Sequence, residues 1–236
     1  MSAPAVGRSW PWLATTHARW VIRTTWSNGE QLLLLVGIPI AAYFALTRTD
    51  VLSSSNPPLV VTTAMVVLAA GFTSPAISLA FDRRYGSFAL IGTTPLPRSA
   101  IIVGTVIAIG LGTAIALGVL VGVATLIAPT GVTNVALVLM AALLGLLAVV
   151  PWAFVLGGTA RSESVLVLAN GIFIVATLFA GVLVPASALP YGAVLSWLPP
   201  GAIVEFASNA SWAAAAALAA WALAGAAVAS RTFRWR

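Results

Sequence analysis

The sequence predicts an all-α integral membrane protein with six transmembrane helices, and three observations carry that reading. Hydrophobic residues make up 61% of the chain and charged residues 7%, against roughly 25% charged in soluble domains. The charges gather in short clusters separated by long apolar runs, and a run of about 20 apolar residues suffices to cross a hydrocarbon core. The arginines then fix the parity of the count. Arg8, Arg19 and Arg23 precede the first run, and Arg83, Arg84 and Arg98 lie between the second and third. Arg161 lies between the fourth and fifth, and Arg231, Arg234 and Arg236 follow the sixth. With six spans these clusters share one face and only Arg48 is opposite. The positive-inside rule makes that face cytoplasmic, with both termini inside. An odd count would put the last cluster on the wrong side.

The spans are expected at about 32–47, 59–81, 100–128, 134–157, 165–184 and 212–230, within a single domain of residues 1–236. Residues 1–31 read as a cytoplasmic, interfacial segment. Met1–Glu30 lacks a continuous apolar core, so no cleavable signal is expected. Within it, residues 10–27 predict a helix with Trp10, Leu13, His17, Trp20, Val21 and Thr24 on one side and Arg19 and Arg23 on another. Tryptophan with arginine suits a helix lying at headgroup level. Pro39 predicts a kink in the first span. The third carries Gly110, Ala114, Gly118 and Gly122, a stripe that lets a second helix approach closely, either within the chain or from another copy. Pro151 lies in the fourth span, and small residues dominate the sixth. His17 and Glu163 read as structural residues of the interface and a loop.

Composition excludes several chemistries. Cysteine and lysine are both absent, which removes thiolate sites, disulfides and the phosphate-binding lysine of a P-loop. The net charge of +6 comes from arginines flanking spans, so anionic lipid headgroups, and no nucleic acid, are the expected partners. The five acids are scattered, with no two closer than 20 positions. A membrane enzyme would need clustered carboxylates or a nucleophile with a base, so no catalytic residue, metal or bound cofactor is expected. The arginine-only cations and many alanines suggest a GC-rich bacterial genome, hence a bacterial cell membrane.

Two segments are more than connectors. Phe81–Ser99 starts with charges, passes Gly86, runs through an apolar stretch and ends in Pro95-Leu96-Pro97-Arg98. It predicts a short amphipathic helix near Arg83–Ile91, stopped by Gly92 and the prolines, that docks on a cytoplasmic partner. Leu183–Ala210 is broken by Pro185, Pro190, Pro199 and Pro200 into pieces too short to span. It predicts short helices that dip into the outer leaflet and return, with Ala193–Leu198 seeking burial.

Together these segments resemble the permease subunits of the ABC-2 type transporter family. That family carries an acidic-Arg-x-x-Gly-(Ser/Thr) run after the second span, then an apolar stretch and Thr-Pro-Leu-x-Arg. Here the run is Asp82, Arg83, Arg84, Gly86 and Ser87, then Phe88 onward, then Thr94, Pro95, Leu96, Pro97 and Arg98. The family also carries prolines before the sixth span followed by an acid, matched in order by Pro185, Leu189, Pro190, Leu198, Pro199, Pro200 and Glu205. One departure is that the apolar stretch after Gly86 has no acid, where family members often have one.

The resemblance implies a transport subunit that is not itself an enzyme. Two such permeases, identical or homologous, would sit over two separate ATPase subunits that bind the ATP and magnesium. It implies coupling to the ATPase through Asp82, Arg83, Arg84, Gly86, Ser87, Phe88, Pro95, Pro97 and Arg98, and an outer gate at Pro185, Pro190, Pro199, Pro200 and Glu205. Efflux of an amphipathic or apolar cargo is the expected direction. The alternatives are a haem- or cytochrome-maturation exporter permease and a non-transporting membrane assembly subunit.

Overall fold

The computed structural model describes residues 9–27, 29, 33–48, 56–87, 98–127 and 134–232, and every regular element among them is helical. Helix α1 is Trp10–Trp26. A π-helical turn, Leu33–Gly37, leads into α2, Ile38–Arg48. Helix α3 runs Pro58–Arg84 with a π-helical turn at Ala69–Thr73. Then come α4, Arg98–Ile127, α5, Val135–Thr159, and α6, Ser162–Phe179. A 3₁₀ turn at Ala186–Ala188, α7 at Gly192–Leu195 and α8 at Pro199–Asn209 precede α9, Trp212–Thr232.

Five of these helices, α3, α4, α5, α6 and α9, are long and apolar enough to cross a membrane, which suits a multi-pass membrane protein. The first expected span corresponds to the shorter apolar helix Leu35–Arg48. Both π-helical turns lie just before a proline, Pro39 in α2 and Pro75 in α3. A proline ring clashes with the carbonyl four residues earlier and offers no N–H. Widening the preceding turn relieves that clash, so Pro39 acts through a local π turn. Pro151 lies inside α5 with the helix unbroken around it.

Helix α5 is the centre of the bundle, packed by α3, α8 and α9. Small residues set its distances. A Cβ on Gly157 would lie 2.5 Å from the Ala76 carbonyl oxygen, and one on Gly145 2.7 Å from Ile203 Cδ1. Against α9, Gly225 abuts Trp152. Trp152 and Trp221 meet edge to face at 5.4 Å, and Trp152 Nε1 donates to the Trp221 carbonyl at 3.1 Å. The core between these helices is Leu59–Leu68, Val138–Phe154, Ala202–Ala207 and Leu218, interspersed with small residues.

One sequence expectation changes, and two others are made more specific. Span five ends at Phe179 rather than 184. Gly181, at φ +81°, turns the chain out of the helix, and the Leu183 N–H closes back on the Thr177 carbonyl. Hydropathy alone cannot see that stop, because Gly181–Val184 is as apolar as the helix before it. The small-residue stripe of span three does not pack within the described chain: a Cβ at Gly110, Gly118 or Gly122 would meet open space. Finally, the buried face of α1 is Ala14 and Ala18 with half-buried Leu13, His17 and Val21. Trp10 and Trp20, grouped with Leu13, His17 and Val21 in the sequence reading, are exposed.

Candidate functional site

At the arginine-bearing end, α3 continues past the apolar residues because its charged last turn has partners. Arg83 turns back along the bundle, and its Nη1 donates to the Gly157 carbonyl at 2.9 Å and reaches that of Ala160 at 3.5 Å. These are among the last carbonyls of α5, which lack partners inside their own helix. Arg84 extends to the start of α6, where it pairs with the Glu163 carboxylate and donates to Ser162 Oγ at 3.3 Å. Glu163 lies in the first turn of α6, where a negative charge suits the helix dipole. One turn of α3 therefore holds the connection between α5 and α6 from both sides.

The chain then reverses. Tyr85 N–H donates to the Phe81 carbonyl at 2.9 Å, and Gly86 adopts φ +73°. That left-handed conformation is the ordinary end of a helix when glycine is available. Ser87 is hydrogen-bonded to the Asp82 carboxylate and brackets the turn. The expected amphipathic helix Arg83–Ile91 is thus not one element. Arg83 and Arg84 belong to α3 and bind α5 and α6, and the Gly86 turn ends that helix. Phe88, Thr94, Pro95, Leu96 and Pro97 lie outside the described residues, and Arg98 opens α4.

His17 joins the same end from α1. Its Nε2 lies 3.3 Å from Thr105 Oγ1 on α4, and its ring stacks on Trp20 with centroids 6.0 Å apart. Gly104 makes the approach close: a Cβ there would lie 2.7 Å from the Ala14 carbonyl oxygen. Burial pulls the His17 imidazole below its usual titration range, against a smaller opposing pull from the Asp82 negative charge. His17 is therefore a neutral docking residue at pH 7.

Sequence reasoning did not find His17–Thr105 or Arg84–Glu163. The second pair had a usable signal. The arginine parity places the loop before span five on the same face as Arg83 and Arg84, and Glu163 is its acid. The first had none, since it depends on how α1 lies against α4.

At the opposite end, Asn56 Nδ2 donates to the Gly181 and Val182 carbonyls, 2.9 Å each, tying the start of α3 to the turn after α6. Pro185 leads into the 3₁₀ turn and Pro190 lies in the bend after it. Pro199 and Pro200 start α8, where a missing N–H costs nothing. Gly201 lets α8 touch the carbonyl oxygens of Leu195 and Ala180, and Ala202, Ile203, Val204, Phe206 and Ala207 are buried. Within Ala193–Leu198, the stretch expected to dip into the outer leaflet, Val194 and Trp197 are not covered by the rest of the described chain, at 66% and 57% exposed. Ala210, at φ +51°, reverses the chain into α9.

Between these pieces opens a recess of about 420 Å³ lined by Leu189, Pro190, Ser196, Trp197, Glu205 and Ser211 among others. Glu205 is half-buried and accepts from Asn209 Nδ2 at 3.1 Å. The Trp197 carbonyl accepts from Trp221 Nε1 at 2.8 Å, which fixes the rim to α9. Of the residues expected at an outer gate, Pro190 and Glu205 line this recess, Pro185 precedes Ala186 of its lining, and Pro199 and Pro200 begin the helix that carries Glu205. No group of three His, Cys, Asp or Glu side chains capable of holding a metal occurs among the described residues. The chain matches no protein-family model, and a search of curated proteins returns no match.

Proposed function

We propose that this chain is the membrane-spanning permease subunit of an ABC-2 type exporter, driven by a separate ATPase subunit. The observation that carries the reading is the joint placement of two motifs on one helical bundle. The Asp82–Ser87 charged glycine turn closes α3 at one end, and the proline-initiated α8 enters the bundle at the other. In this reading α2 is the first of six spans, both termini lie in the cytoplasm of a bacterial cell, and α1 lies at the headgroup level. Its exposed Trp10, Trp12 and Trp20 and its Arg19 and Arg23 suit that level.

The coupling element is the connection after Gly86, which meets the ATPase. Arg83 and Arg84 are positioning residues: displacement of that connection moves the last turn of α3, and through it the α5–α6 junction. Such rigid transfer between packed helices is a known route of switching. Pro185–Glu205 forms the outer gate. A second permease copy, identical or homologous, takes the open small-residue face of α4, and the cargo is amphipathic or apolar.

The test is a pull-down of the tagged chain from its native membrane after detergent extraction. A P-loop ATPase recovered in comparable amount supports the permease reading. Recovery of the folded chain alone, or with a non-ATPase membrane complex, contradicts it and favours an assembly subunit.

A further inference from the structure

The recess at the end away from the arginines has the chemistry of a receptor for a particular ligand class. Its volume of about 420 Å³ falls within the roughly 300–1,000 Å³ of small-molecule sites. Its lining combines an apolar wall, Leu189 and Pro190, with the Trp197 indole and the hydroxyl-bearing Ser196 and Ser211. One charged group faces it, the Glu205 carboxylate. Among the described residues that carboxylate has no cationic partner; its hydrogen bond comes from the neutral amide of Asn209. Glu205 is half-buried, so a ligand entering the recess would meet a carboxylate with no competing ion pair among the described residues.

Two features narrow the counter-charge. A single carboxylate without further acidic or imidazole ligands cannot hold a divalent metal in place of its hydration shell. The exposed indole and the apolar wall instead reward a cation that is weakly hydrated and carries carbon, because the ring face attracts such charge. The rim is also preformed. The Trp221 indole N–H holds the Trp197 backbone, Ser211 Oγ accepts from the Ala214 N–H at 3.3 Å, and Gly201 locks α8 against α7. A site that needs no ordering on binding loses less of its affinity.

We propose that this recess binds organic cations, amines or quaternary ammonium ions bearing an apolar group, with Glu205 neutralising the charge and Trp197 covering it. The proposal does not rest on the permease reading, since it concerns the isolated chain.

The experiment is calorimetric titration of the purified full chain in lipid nanodiscs with benzyltrimethylammonium. Saturable binding is expected, at least tenfold weaker in Glu205→Gln and weakened again in Trp197→Ala. Ala193→Phe, which fills the recess from an exposed position, should abolish binding while leaving the thermal transition of the protein in place. Equal affinity in wild type and Glu205→Gln, undiminished binding in Ala193→Phe, or absence of saturable binding by the folded wild-type protein would each overturn the proposal. Displacement by equimolar sodium would also overturn it, by showing a site for simple inorganic cations.

Discussion

Single residues carry measurable parts of this architecture. Ala210 holds a left-handed conformation that costs a side-chain-bearing residue about 1 kcal/mol relative to glycine. Ala210→Gly should therefore raise the thermal transition in detergent, and a lowered transition would show that the methyl group contributes packing that outweighs the strain. Arg83 donates to carbonyls at the end of α5, and charge-assisted bonds of this kind contribute about 1.5–3 kcal/mol. Arg83→Ala should destabilise by about that amount, with Arg83→Lys intermediate because it keeps the charge but loses the planar fork; equal stability of all three would remove the capping role. His17 gives a pH dependence. Its folded-state titration lies below the free value of 6.5 because of burial, so the folded state binds fewer protons than the unfolded one. Docking of α1 is therefore complete above that value and weakens as pH falls through and below it. The protection of residues 10–26 against hydrogen exchange, relative to the intrinsic rate at each pH, should fall between pH 7.5 and 5.5 in wild type but not in His17→Phe.

Elements were legible where apolar length decides and illegible where side-chain partners decide. Helices α4, α5 and α9 lie within a few residues of their expected ranges, because nothing but hydropathy and an end signal governs them. Helix α3 extends to Arg84 because the neighbouring helix ends supply its charged residues with partners, and a hydropathy window cannot register that. Span five stops early for the converse reason, a glycine turn inside an apolar run. In the candidate site, Asp82, Gly86 and Ser87 were recognisable as a unit only through the family resemblance. That Arg84 answers to Glu163, 79 positions away, was not. The α3–α6 clamp makes its own prediction: Arg84→Glu and Glu163→Arg should each loosen the α5–α6 junction, and the double exchange should restore it, read as protease accessibility of residues 158–164. The contribution to global stability should be small, since both side chains are largely exposed. Its expected importance is in transmitting motion.

At the scale of the molecule, the bundle separates two jobs. One end gathers arginines, the α3 clamp and the docked α1; the other gathers the broken helices around the Glu205 recess. Helix α5 connects them, packed against α3 at Gly157, α8 at Gly145 and α9 at Trp152, which is the route by which the proposed permease would transmit displacement. A permease needs such a connection, and a purely anchoring subunit does not. The chain contains no cysteine, so single cysteines can be placed cleanly. The most direct measurement is site-specific photo-crosslinking in native membranes from Ser87→Cys at the end of the clamp, with Ala193→Cys at the opposite end as the comparison. The account predicts an adduct with a P-loop ATPase from position 87 and none from position 193. Absence of any ATPase adduct at position 87, in a protein that is inserted and folded, would contradict it.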